Sequence, residues 1–183
     1  MVRSHLLVMF APLAFTLPAR AEGPPPPPKP APALVEAFKG MEGIWNCKGS
    51  MENFAKPGTE VATKTECKIA KEVDGFAYSG SFKLEKNAAM PAGGKMHMHW
   101  GYDTAKKQLI EFGVDNAGNS WSGTSDGLKD GVLVWSEEGA MMGQAAKTRT
   151  TITIKGPKEI VVVSEMEDKG AWKKVGEDHC KKI

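Results

Sequence analysis

Two histidines two residues apart, His97 and His99, form the sharpest chemical grouping in the sequence, within the run Lys-Met-His-Met-His-Trp at residues 95–100. An imidazole pair at this spacing can chelate a transition metal, and the thioethers of Met90, Met96, Met98, Met141 and Met142 suit copper in an exported protein. Zinc asks for more, because two imidazoles are half of a tetrahedral set, and His179 is the residue that would have to add to it. On a strand, Met96, Met98 and Trp100 fall on one face and both imidazoles on the other, which reads equally as an apolar inner face and a solvated outer face beside Lys95. Heme would need an inward-facing axial histidine, and His179 next to Cys180 is the candidate.

Other chemistries find less support. Ser120, Ser122, Ser125 and Ser164 lack a nucleophile elbow, and no Ser, His and acid set stands out, so no catalytic residues are assigned. Asp103, Asp115, Asp126 and Asp130 sit among Gly, Asn and Lys, where carboxylates organise turns. The glycines mark turns and build no phosphate cradle. Trp45, Trp100, Trp121, Trp135 and Trp172 fall one to a strand-like segment and read as core or cavity lining, with a sugar or lipid platform as the alternative. Trp45, Trp100, Trp121 and Trp135, with Met96, Met98 and Phe112, are expected to line an interior cavity.

These residues need a sheet to hold them. From Gly43 onward about ten strand-like segments separated by turn residues follow one another, near 44–50, 60–70, 75–84, 95–102, 107–114, 119–125, 131–137, 147–155, 159–166 and 171–180. Val61, Thr63, Thr65, Cys67 and Ile69 oppose Ala62, Lys64, Glu66 and Lys68, whereas Ile110, Phe112 and Val114 oppose Leu109, Glu111 and Gly113. One-sided strands must bury a face and hide their edges, which an antiparallel up-and-down barrel achieves with hairpins alone. A barrel of about ten strands is wider than one that side chains just fill, so an internal cavity is expected.

The flanking composition sets the context. Residues 1–21 carry Arg3 and His5, an apolar stretch from Leu6 to Leu17, and Ala19-Arg20-Ala21, the pattern of a cleaved secretory signal. The stretch is too short to span a bilayer and is interrupted by Pro12 and Pro18. Residues 22–32 are a proline-rich linker of polyproline II type, and residues 33–183 form one domain, opened by a short amphipathic helix over Ala33–Met41. Without Arg3 and Arg20, 22 basic residues balance 22 acidic ones, which leaves no basic footprint for nucleic acid or anionic lipid.

Gly43-Ile44-Trp45-Asn46-Cys47-Lys48-Gly49, Trp100-Gly101-Tyr102-Asp103, Val114-Asp115-Asn116, Thr124-Ser125-Asp126-Gly127, Gly139-Ala140-Met141-Met142-Gly143 and Gly176-Glu177-Asp178-His179-Cys180-Lys181 occur in this order. Together they resemble the bacterial family known as domain of unknown function 1579, over about residues 36–182. The resemblance implies a calycin-type, lipocalin-like barrel and no particular activity. Cys67 and the Met-His-Met-His run depart from the family pattern.

Three cysteines in an exported chain allow one disulfide and leave one thiol over. Cys47 and Cys180 lie in the first and last segments, neighbours in a closed barrel, and the resemblance places its paired cysteines there. Cys47 with Cys67 is the alternative. Cys67 shares a face with Val61 and Ile69 and reads as a small buried hydrophobe.

The sequence is therefore expected to encode a periplasmic or secreted, disulfide-bonded barrel that binds a small apolar or amphipathic molecule without catalysis and without an obligatory cofactor. The rival readings are a copper or zinc protein using His97 and His99, and a passive envelope component meeting other proteins through the proline stalk.

Overall fold

The computed structural model describes residues 26–183. The expected signal segment lies outside the described residues, and the expected linker is described only from residue 26. Residues 26–31 carry no regular secondary structure. Pro32 then opens helix α1 (Pro32–Phe38), where its fixed φ suits the first helical turn. The helix is shorter than the apolar spacing of Leu34, Phe38 and Met41 predicts. Lys39 has left the helical region, with ψ of 116°, Gly40 takes φ of +78°, and Met41 is buried from the connecting turn instead.

Ten strands follow: β1 (Gly43–Glu52), β2 (Glu60–Glu72), β3 (Ala77–Leu84), β4 (Gly94–Asp103), β5 (Gln108–Asp115), β6 (Ser120–Ser125), β7 (Val132–Met141), β8 (Gln144–Gly156), β9 (Glu159–Asp168) and β10 (Ala171–Lys182). Each pairs antiparallel with its neighbour in sequence, and β1 pairs with β10 through Trp45–Lys182, Cys47–Cys180 and Met51–Gly176, so the sheet closes into an up-and-down barrel. Closure pairs both sides of every strand and leaves no edge exposed. The β7–β8 hairpin is longer than its alternating sequence suggests, because Met142 and Gly143 both adopt positive φ and make a two-residue turn that carries the pairing out to Met141–Gln144.

The barrel has two unlike ends. At the base α1 leads into β1, and the Phe38 ring stacks on Tyr78 at 4.5 Å and tilts against Trp100 at 5.1 Å. Trp45 Nε1 donates a hydrogen bond of 2.8 Å to the Met41 carbonyl, which ties the helix exit to the first strand. With Leu34, Leu109, Leu133, Trp135 and Ile160 these side chains fill the base. Each fully buried side chain of this size contributes about 1.5–3 kcal/mol. The opposite end, where the β5–β6 and β7–β8 turns lie, is not filled in this way.

Strands β2 and β4 alternate as their sequences predict, with Thr63, Cys67 and Ile69 buried on one and Met98 and Trp100 on the other. Strand β5 is inverted relative to the expectation. Leu109, Glu111 and Gly113 face inward, whereas Ile110, Phe112 and Val114 lie outside, Phe112 with half of its surface exposed. The cause is local packing across the sheet. The Trp121 indole lies over Gly113, where any side chain would collide with it, and Trp100 needs a partner for its N–H, which Glu111 supplies. Phe112 therefore does not line the interior.

Candidate functional site

The interior holds a cavity of about 390 Å³. Trp45, Trp100, Trp121, Trp135, Met96 and Met98 border it; Phe112 does not. Trp172, on β10, also stands apart: it is exposed, and the Arg149 guanidinium lies 4.7 Å from its ring centre on the outer surface. Toward the open end the walls are Asp115, Asn119, Met141 and Ala146.

The apolar wall is interrupted by an acidic row. Register places Trp100 of β4, Glu111 of β5, Gly123 of β6, Glu137 of β7 and Thr148 of β8 side by side around the barrel. Glu111 and Glu137 are 5% and 7% exposed, so both carboxyl groups belong to the interior. Gly123 makes their approach possible, since a Cβ there would sit 2.8 Å from Glu111 Oε1 and 3.0 Å from Glu137 Cγ. Trp100 Nε1 donates to Glu111 Oε2 at 2.9 Å, and Thr148 Oγ1 donates to Glu137 Oε2 at 2.6 Å. Glu111 Oε1 is buried with no hydrogen-bond partner, alone among the buried side-chain nitrogen and oxygen atoms of the described residues.

Burial first, then the charge of the neighbouring Glu137 carboxylate and a hydrogen bond between the two carboxyl groups, push the Glu111 carboxyl up to about 9, while the Trp100 hydrogen bond works in the opposite direction. At neutral pH Glu111 therefore holds a proton, and its carboxyl can both donate and accept.

A second polar group lies on the far side of the barrel. Thr63 Oγ1 on β2 donates to Asp178 Oδ1 on β10 at 2.7 Å, across Gly49 of β1. Burial raises the Asp178 carboxyl above its ordinary range, and the Thr63 bond opposes that shift. Beside it Cys47 and Cys180 form the disulfide that links the first and last strands. Cys67 remains a free, buried thiol with its Sγ 3.7 Å from Cys47 Sγ. Burial, then the Asp178 and Glu66 charges, push that thiol up to about 12, so it stays protonated and packs as a small apolar group.

The histidines are elsewhere. His97 and His99 point outward from β4, their rings 4.7 Å apart and nearly perpendicular, with Glu72 Oε2 3.8 Å from His99 Nδ1. The thioethers of Met96 and Met98 project to the opposite face of the strand, so they and the imidazoles cannot share an ion. No group of three His, Cys, Asp or Glu side chains placed to hold a metal ion occurs among the described residues. His179 is exposed on the outer face of β10 and bonds to Glu177 Oε1 at 3.0 Å, so it is not the inward axial ligand that heme would require.

The acidic row is absent from the expectations drawn from sequence, which placed Glu111 on the face opposite Phe112 and assigned neither Glu111 nor Glu137 a role. The available signal was the glycine spacing. Gly113, Gly123 and Gly139 interrupt three successive strands without any turn, which marks places where other groups come close.

No protein-family profile matches the sequence, and no curated protein does. Among solved structures the fold is similar to the crystal structure of Rv2717c from M. tuberculosis, with a TM-score of 0.64 at 11% identity, over 85% of this chain and 99% of that one. A structure of EF1p2_mFAP2b bound to DFHBI aligns with a TM-score of 0.36 at 10% identity, over 81% of this chain and 98% of that one. The first likeness is one of barrel fold.

Proposed function

We propose that the protein is an exported, calycin-like barrel that takes a small apolar or amphipathic molecule into its interior and releases it unaltered. The observation that carries this reading is the cavity of about 390 Å³ walled by Trp100, Trp121, Trp135, Met96 and Met98. Its volume falls within the range of small-molecule pockets, and apolar walls with a few converging polar groups are the usual composition of such sites. Closure of the base by α1 leaves the end at Asp115, Asn119 and Met141 as the route of entry.

Titration of the full-length protein with Nile red, a neutral dye that brightens in apolar surroundings, tests the reading. The expected result is a saturable rise in dye emission, accompanied by quenching of tryptophan emission. Ala146→Phe, which fills the cavity from β8, should abolish it while leaving the strand signal in circular dichroism intact. Absence of saturable binding, or equal binding by the folded Ala146→Phe variant, would overturn it.

A further inference from the structure

We propose that the ligand carries a protonated amine on an apolar body, with the amine seated against Glu111 and Glu137 and the body against Trp121, Met96 and Met98. This inference rests on the interior-binding reading above and names the class of molecule. Three observations support it. Among the described residues the charged groups bordering the cavity are Glu111, Asp115, Glu137, Glu165 and Asp178, with no Lys, Arg or His. Glu165 already has a base, Arg149 Nε at 2.7 Å, whereas no basic side chain pairs with Glu111, Glu137 or Asp178 among the described residues. Glu111 Oε1 is buried and unpartnered in an otherwise hydrogen-bonded row.

A buried carboxyl oxygen is costly to leave unpaired, and among the described residues no N–H or hydroxyl reaches Glu111 Oε1, so its one internal recourse is the proton held between it and Glu137. An ammonium group brings up to three N–H donors together with the positive charge that two neighbouring carboxyl groups favour. The indole faces that border the same space add to the attraction for a cation and accept an apolar body. A carboxylate-bearing ligand such as a fatty acid meets the opposite situation, since its charge would be buried beside acids with no base at hand.

Three probes with one rigid body separate these cases: 1-adamantylamine, 1-adamantanol and 1-adamantanecarboxylate, each displacing Nile red from the full-length protein at pH 7. The amine is expected to bind about tenfold more tightly than the alcohol, and the carboxylate more weakly than either. In the Glu111→Gln/Glu137→Gln variant the amine should lose most of that advantage, while the alcohol binds as before. If the alcohol or the carboxylate binds the wild type as well as the amine does, or the amine keeps its advantage in the double variant, the amine proposal is overturned and interior binding stands on the Nile red result. If Nile red itself does not bind, both readings are overturned together.

Discussion

The two polar groups inside the barrel are built on one plan and finished differently. At the seam, Gly49 of β1 lies between Thr63 and Asp178, and the threonine hydroxyl completes the carboxylate. On the opposite wall, Gly123 of β6 lies between Glu111 and Glu137, two acids whose flanking donors, Trp100 and Thr148, leave one oxygen of Glu111 unsatisfied. In both places a glycine in the middle strand lets side chains from the outer two strands reach over it. The difference is that a hydroxyl facing an acid closes a hydrogen bond within the fold, whereas an acid facing an acid leaves a vacancy that only a donor from outside, or a retained proton, can fill. The seam group is structural by this criterion, and the acidic row is the place where the interior is prepared for something else.

The largest effect should come from the seam. Cys180→Ser removes a link between residues 133 apart and should cost about 3–5 kcal/mol in urea unfolding. In that variant Cys47 has Cys67 at 3.7 Å as its remaining neighbour, so treatment with oxidised glutathione, which takes up the two electrons, should give a Cys47–Cys67 disulfide in non-reducing peptide mapping. Recovery of two free thiols instead would show that Cys47 and Cys67 do not come within bonding range. Next come the two glycines. At Gly49 an added methyl would collide with the Glu177 carbonyl of the β10 backbone, while at Gly123 it meets the movable end of Glu111 at 2.8 Å and, less closely, Glu137 Cγ and the Ser136 carbonyl oxygen at 3.0 Å. Gly49→Ala should therefore cost about 3 kcal/mol and Gly123→Ala about 1 kcal/mol; the reverse order would mean that the acidic row is the more rigid of the two.

A further effect depends on pH. Glu111 keeps its proton in the folded protein at pH values where the unfolded chain has lost it, so the unfolded state binds fewer protons and stability falls as pH rises from 4.5 toward about 9. Burial of Asp178 contributes a slope of the same sign. Glu111→Gln preserves an acceptor for Trp100 and removes the ionisable group. It should match the wild type near pH 4 and exceed it by about 2 kcal/mol at pH 8. Urea midpoints at the two pH values measure this, and an equal gap at both would remove Glu111 from the account.

Much of the architecture was legible because hairpin turns and period-two alternation are local. The ten segments, and the placing of His97 and His99 on the strand face opposite Met96 and Met98, follow from them. Period alone does not say which phase faces inward. On β5 both sets are plausible to the eye, Ile110-Phe112-Val114 even more so, and the choice is made by Trp100 and Trp121 reaching across from neighbouring strands. That information is long-range, so Phe112 was misplaced and Glu111 missed for the same reason. Trp172 shows a related limit: its indole is held outside by Arg149, a contact between β8 and β10 that no local pattern announces. Orientation bears on the rival heme and copper readings as well, since His179 lies on the outer face of its strand and the methionines of β4 turn away from the imidazoles.

The position of the disulfide has a mechanical consequence. The start of β1 and the end of β10 lie together at the base, and residues 26–31 approach the barrel from the same side through α1. Tension between the proline-rich segment and the end of β10 would load the seam from one edge, peeling hydrogen bonds one pair at a time rather than shearing them together. The Trp45–Lys182 and Asn46–Lys181 pairs can part, but the next pair is Cys47–Cys180, and there the load passes to a covalent bond. An oxidised barrel should yield by a few ångströms and then hold, whereas a reduced one has nothing to stop the tear from running the length of the seam.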